Sequence, residues 1–331
     1  MFFTAFSDTI PNLAQKNVMK IIKKIVLVFV AVFIMASVGG YLYFDRKFTP
    51  PENYLKVSGM TKKLPFKWAS DEENSYAAML LPIRIKGIDK TFYMQLDSGS
   101  QSTVFYKKSL ESIQKKFPKQ LNFNESLNEI SLVFNLKDMT VSSESFELLD
   151  YGNNVDFETP NTENIIGTIG TDLFEKRKVE IDFKNKRISL LEKIDDKGFS
   201  IFEFKKRKII FPMIIDNQKM KLLYDSGTSG YELIVNKEKW ILYKSKKDKI
   251  KKENGNSWGT VLSVFTAPAT KNIEFGNLKL QLSEITYIEG TSELQKMLMK
   301  RSGMQGMMGN KLLLNHKLIL DCKNEKFKIE N

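Results

Sequence analysis

The sequence predicts a mainly β protein built from two copies of one unit, with a single hydrophobic helix in front of them. Three observations predict it. From Ile25 to Phe44 the chain reads IVLVFVAVFIMASVGGYLYF, 20 residues without a charge. Beyond it, two alternating apolar strands separated by a polar turn run into Asp-Ser-Gly, and this block occurs twice, Asp97 and Asp225 standing 128 positions apart. A second block also occurs twice, with Gly170 and Gly309 standing 139 apart. It consists of an apolar-apolar-Gly turn, a strand ending in Asp, a Lys-Asn turn and a final strand. A length of 331 residues agrees with about two domains, and 42% hydrophobic with 27% charged residues fits a folded chain.

The hydrophobic segment comes first in the chain. At ~1.5 Å per residue it spans a hydrocarbon core of about 30 Å. Lys16, Lys20, Lys23 and Lys24 precede it and Asp45 ends it. This basic flank predicts a cytoplasmic tail over residues 1–24, a transmembrane helix over 25–44 and an extracytoplasmic remainder, a single-pass membrane protein. The competing expectation is a cleaved signal peptide. Its apolar region would exceed the usual length of about 7–15 residues, and Ala36–Gly40 offers only a loose cleavage site, so the anchor is preferred. Residues 45–74 follow as a stalk or linker, within which Lys47–Trp68 is open to being either stalk or strand.

Composition narrows the chemistry. A single His (His316) and a single Cys (Cys322) rule out an internal disulfide and a Cys- or His-rich zinc site. They leave any Ser/His/Asp or Cys/His scheme dependent on one His near the C-terminus. No metal or other cofactor is expected. The net charge of +12 includes the run Lys244–Lys252 (KSKKDKIKK). The bases are scattered among acids and no nucleic-acid module accompanies them, so the run reads as a solvated face and no nucleic-acid partner is expected.

The first unit covers residues 75–195 and the second 196–331, joined near Lys193–Ser200. Leu81–Tyr106 (LPIRIKGIDKTFYMQLDSGSQSTVFY) matches Phe211–Val235 (FPMIIDNQKMKLLYDSGTSGYELIV). Ile166–Leu190 matches Gln305–Ile329, which aligns Asp182 with Asp321. Between the landmarks, helical spacing places a short helix at Tyr106–Phe117 and another in Asn236–Lys249. Strands are expected at Ile130–Phe134 and Ser145–Leu149, and at Ile273–Phe275 and Leu278–Leu282.

A strand that delivers Asp, then a small hydroxyl residue, then Gly, is built to present a carboxylate. Gly99 and Gly227 allow close backbone approach. Ser98, Ser100, Ser226 and Thr228 supply hydroxyls able to orient it. One such tripeptide is ordinary turn chemistry; two at matched places in a duplicated unit are far more specific. Pseudo-two-fold packing of the units would bring Asp97 and Asp225 face to face.

The pattern resembles the pepsin/retropepsin superfamily of aspartic proteases in its two-lobed, single-chain, membrane-anchored bacterial form. The matching residues are DSGS (97–100), DSGT (225–228), and the turns ending at Gly170 (TIG) and Gly309 (MMG). The likeness extends over roughly residues 75–331 in organisation. It implies two pseudo-two-fold-related β-barrel lobes with short helices, each supplying one catalytic Asp, hence Asp97 and Asp225. It puts Ser100 and Thr228 at hydroxyl positions that cross-brace the two loops, and Gly170 and Gly309 beneath them. It further implies an endopeptidase whose partner is a peptide or protein substrate, working as a monomer with an intramolecular site. The alternative is a catalytically inactive module of the same fold that binds peptides at the cell envelope. A second is a pair of retropepsin-like domains that dimerise between chains.

The flap, a hairpin covering the substrate, has several candidates. Tyr151-Gly152 resembles the Tyr-Gly of pepsin-type flaps but lies just before the second motif. Aligning the units points instead to Asn122–Ser126, and Asn254–Thr260 with Trp258 is a hairpin tip in the second unit. Among the remaining residues, Asp182 and Asp321 are expected to cap turns, Asp172 to be a surface or capping residue, Cys322 to be a small buried hydrophobe, and His316 to be exposed. The Met cluster (Met297, Met299, Met304, Met307 and Met308) is expected to fill core near Gly309, with an adaptable binding surface as the alternative.

Overall fold

One strand graph is used twice. The computed structural model describes residues 49–72, 74–124, 128–160, 162–193, 197–246, 249–257, 260–290 and 303–331, with isolated positions between 35 and 46. In the first half the strands Met139–Leu149, Val104–Tyr106, Ile165–Ile169, Phe92–Leu96, Ala78–Ile85 and Glu129–Leu136 pair in that order, and the last pairs back to the first. The second half repeats the ring with Leu278–Glu289, Leu233–Val235, Gly306–Met308, Gln218–Tyr224, Lys208–Ile215 and Thr260–Phe275. Each ring is a closed, barrel-like sheet, which removes free edges.

Alternation explains the closure. Phe92, Met94 and Leu96 point inward while Tyr93 and Gln95 do not, the period-2 pattern of a strand with one buried face. In the second half Phe202, Phe211, Phe275 and Phe327 pack together, Phe211 lying 4.7 Å from Phe327 and 4.9 Å from Phe275 between ring centroids. Such rings contribute both area and edge-to-face attraction.

A third sheet joins the halves. Its order is Ser200–Ile201, Lys326–Glu330, Lys317–Asp321, Lys178–Asp182, Arg187–Leu191 and Thr61–Pro65. The central pair is antiparallel, with Glu180 opposite Ile319. The matched Asp residues do cap turns: Asp182 accepts from Asn185 N at 2.9 Å, and Asp321 from Asn324 N at 3.1 Å. Asp321 is also buried against Lys178, at 3.1 Å across the join.

Several expectations are corrected. Within 45–74 the strand alternative left open for Lys47–Trp68 applies in part, because Thr61–Pro65 is an edge strand of the joining sheet and Lys67–Ala69 pairs with Ala78–Leu80. Leu64 and Phe66 are buried there, so two apolar side chains suffice to anchor a lysine-rich segment. The first helix is Lys107–Lys116, as expected, but the second stops at Tyr243. The residues after it offer no apolar face, and Lys244 instead bridges Ala269. Met308 and Met304 are buried. The expected spanning segment and cytoplasmic tail lie almost wholly outside the described residues, and among those described no helix is long and apolar enough to cross a membrane. The chain divides into two units, Met1–Pro51 and Glu52–Asn331, the second holding every described strand.

Candidate active site

The strand Phe92–Leu96 ends at Asp97, whose N–H donates to Ile169 O at 3.0 Å; Gln218–Tyr224 ends at Asp225, whose N–H donates to Met308 O at 2.9 Å. Each Asp is therefore suspended from the strand of its own apolar-apolar-Gly turn. The loops then fold back on their carboxylates. Gly99 N donates to Asp97 Oδ1 at 2.8 Å and Ser100 N at 3.3 Å. Gly227 N donates to Asp225 Oδ1 at 2.9 Å.

The cross-brace differs from the expectation. Ser98 N donates to Ser226 Oγ and Ser226 N to Ser98 Oγ, both at 2.8 Å. Each hydroxyl then donates across to the other half, Ser98 Oγ to Tyr224 O at 2.9 Å and Ser226 Oγ to Leu96 O at 3.0 Å. Ser100 and Thr228, predicted for this role, bond locally instead, Ser100 Oγ to Ser102 O and Thr228 Oγ1 to Asp225 O, both at 2.8 Å. The reason is strand alternation, which continues through the Asp. If Asp faces the opening, the next residue faces the floor between the loops, where Ser98 and Ser226 are 1% and 0% exposed.

The loops approach so closely that only glycine fits. A β-carbon on Gly99 would lie 2.7 Å from Asp225 Oδ1, and one on Gly227 the same distance from Asp97 Oδ1. Each glycine thus abuts the carboxylate of the opposite half. Gly170 and Gly309 sit beneath, against the Ser102 backbone and against the Thr228 and Tyr231 carbonyls respectively.

The two carboxyls stand against each other's loops and titrate as a pair. Each Asp keeps some surface open to solvent, yet the protein packed around the pair raises both above the ordinary carboxylate range. Burial is the main cause for Asp97, opposed by the amides of Gly99, Ser100 and Gly227. For Asp225 burial is joined by the charge of Asp97, opposed by the amides of Gly227 and Thr228. The pair therefore keeps one proton between its two carboxyls.

The flap candidates separate. Tyr151 and Gly152 follow the strand Met139–Leu149 in irregular chain. Tyr151 packs edge-on to Tyr106 at 5.0 Å, and Gly152 presses on Tyr106 and Ser109 with φ +90°. They tip no hairpin, which corrects that reading. Asn122–Asn124 does pair with Glu129–Ser131 as one arm of a hairpin. In the second half Lys251–Ser257 pairs with Thr260–Thr266, a hairpin about the predicted tip; Trp258 itself lies outside the described residues. Tyr231 OH donates to Glu253 Oε1 at 2.9 Å, tying that hairpin to the chain just past Asp225.

Two supports are not evident in the sequence. Tyr224, fully buried, donates through its OH to Asn310 Oδ1 at 2.7 Å, and Asn310 Nδ2 to Ser229 Oγ at 2.9 Å. Asp172 is buried rather than on the surface. It accepts from Thr103 N at 2.6 Å and from Thr103 Oγ1 at 2.7 Å, so the capping half of that expectation describes it. His316 is half-buried rather than exposed. Cys322 is buried, and burial pushes its thiol upward.

No family model matches the chain, and no curated protein matches it. Among solved structures it is similar to an aspartic proteinase from Irpex lacteus, with 10% sequence identity and a TM-score of 0.46, over 84% of this chain and 97% of that one.

Proposed function

We propose that this chain is an aspartic-type endopeptidase whose dyad is Asp97 and Asp225. One observation carries the reading: two carboxyls from opposite halves stand at the ends of mutually braced loops, each against the glycine of the opposite loop. Such a pair divides acid and base roles between like residues, the handling of one shared proton that aspartic proteases exemplify. The ionised partner takes a proton from water as it attacks the peptide carbonyl. The protonated partner gives its proton to that carbonyl oxygen, and the tetrahedral species collapses with proton return to the leaving amine. No acyl-enzyme and no cofactor enter the scheme. Both halves lie in one chain, so the enzyme acts as a monomer. Its peptidase unit is held on the extracytoplasmic face by Ile25–Phe44.

The test is cleavage of peptide libraries from acid to neutral pH by the full-length chain, beside Asp97→Asn and Asp225→Asn. Each substitution should lower kcat by at least about 10³-fold, since it removes a group acting in proton transfer. Activity surviving both would sink the dyad. Peptide binding without cleavage by the wild type would establish the inactive envelope module instead.

A further inference from the structure

The turn joining Glu203–Lys205 to Lys208–Ile215 lies in the second half, yet it grips the first. Lys206 and Arg207 both have positive φ, +50° and +58°, the geometry of a two-residue hairpin turn that favours Asn, Asp or Gly. The neighbouring hairpin meets the same demand with Asp216 and Asn217. A long basic side chain in that conformation costs some backbone strain, which surrounding contacts can offset.

Those contacts are specific. Arg207 is 6% exposed. Its Nε donates to Glu175 Oε2 at 3.1 Å and its Nη1 to Gln101 O at 3.3 Å. Its own carbonyl accepts from Thr171 Oγ1 at 2.6 Å, and Gln101 Nε2 donates to Lys206 O at 2.6 Å. Thr171 N completes the grip by donating to Ser100 O at 2.9 Å. Ser100 and Gln101, whose carbonyls are held in this way, directly follow Asp97-Ser98-Gly99.

We propose that Arg207 is a positioning residue for Asp97, fixing the loop of one half from the other so that the two carboxyls share a proton. The inference rests on the dyad reading above. A planar guanidinium suits the task because one rigid fork reaches a carboxylate and a backbone carbonyl together, which a lysine ammonium cannot reproduce. A shift of the loop alters the carboxyl separation, and the proton sharing follows the separation.

The test follows the side-chain carboxyl carbons of 13C-labelled Asp by NMR titration in the full-length chain in detergent. Asp97→Asn and Asp225→Asn supply the assignments. The variants are Arg207→Lys, Arg207→Met combined with Glu175→Gln, and Gln101→Ala. The double variant avoids leaving a carboxylate unpaired, and Gln101→Ala loosens the grip without removing a charge. The expected result is a change of about half a pH unit or more in the spacing of the dyad's two apparent pKa values in every variant. Arg207→Lys should not restore the wild-type spacing. Peptide turnover should fall about 10- to 100-fold in kcat with KM little changed. An unaltered dyad titration in variants that melt at lower temperature would overturn the proposal and leave the turn a structural clasp. If the wild type cleaves nothing, the peptidase reading fails, and the titration still decides whether Arg207 positions Asp97.

Discussion

Replacing Ser226 by Ala removes one hydroxyl from the floor between the two loops. That hydroxyl accepts from Ser98 N at 2.8 Å and donates to Leu96 O at 3.0 Å. Ser98 and Ser226 are essentially sealed from solvent, so water cannot easily replace it. The lost bond to Leu96 O at about 1 kcal/mol and the orphaned buried Ser98 N–H at about 1–3 kcal/mol give a loss of roughly 2–4 kcal/mol. In a unit as large as Glu52–Asn331, where a loss of 1 kcal/mol lowers Tm by roughly 2–3 °C, this is a fall of about 4–12 °C. Ser98→Ala should cost a similar amount, because its hydroxyl makes the mirror-image pair of bonds. The controls are Ser100→Ala and Thr228→Ala. Their hydroxyls bond only to nearby backbone of their own loops, so each should cost below about 1 kcal/mol. Differential scanning calorimetry of the four variants decides the matter. A Tm change under about 1 °C in Ser226→Ala, or an equal loss in Ser100→Ala, would refute the assignment of the brace to the inner hydroxyls.

Three further outcomes are expected. Asp225 is raised in the folded chain by burial and by Asp97, so the folded state holds a proton that the unfolded chain releases near its ordinary value of about 3.9. Stability should therefore fall as pH rises from about 4 toward the folded value, and Asp225→Asn should flatten that slope and raise Tm at pH 7; urea unfolding at pH 4 and 7 measures it, and an unchanged slope would contradict the shared proton. Gly227→Ala places a methyl group 2.7 Å from Asp97 Oδ1 and should abolish cleavage with little loss of secondary structure by circular dichroism; retained turnover would show that the loops are looser than described. The Cys322 thiol is buried and raised, so it should resist a thiol reagent in the native chain and react on denaturation, with equal rates in both states as the contrary result.

What the sequence conveys about this molecule is set by the range of the interactions. The two Asp-Ser-Gly loops are legible because a short tripeptide, a strand before it and a matched turn after it are all local signals, and their repetition removes the ambiguity of each. The identity of the bracing hydroxyl is not legible in the same way. Ser98 and Ser100 are equivalent as letters, and only the direction of alternation through Asp97 sends one to the floor and the other sideways. Arg207 is hidden for a different reason. It sits in the run Lys205–Lys208, which reads as solvated charge, and its partner Gln101 is 106 positions away. Thr61–Pro65 is obscured because an edge strand needs few apolar residues, and its lysines face outward.

A dyad needs two like residues made unlike, and a duplicated fold supplies likeness more readily than difference. The rings, the suspended strands and the reciprocal serine bonds are symmetric, and alone they would give Asp97 and Asp225 the same environment. The difference enters through the layer beneath. After Gly170 the chain continues Thr171-Asp172, and after Gly309 it continues Asn310-Lys311. Thr171 and the Arg207 turn hold the Asp97 loop by its carbonyls, whereas Asn310 holds the Asp225 side through Tyr224 and Ser229. Lys311 pairs with Glu284 at 2.7 Å, away from the place Asp172 takes beside Thr103. Both carboxyls are raised by burial and each accepts amides of its own loop, Asp97 from Gly99 and Ser100 and Asp225 from Gly227. Unequal support under equal loops is thus a physical route by which two like carboxyls can be made unlike.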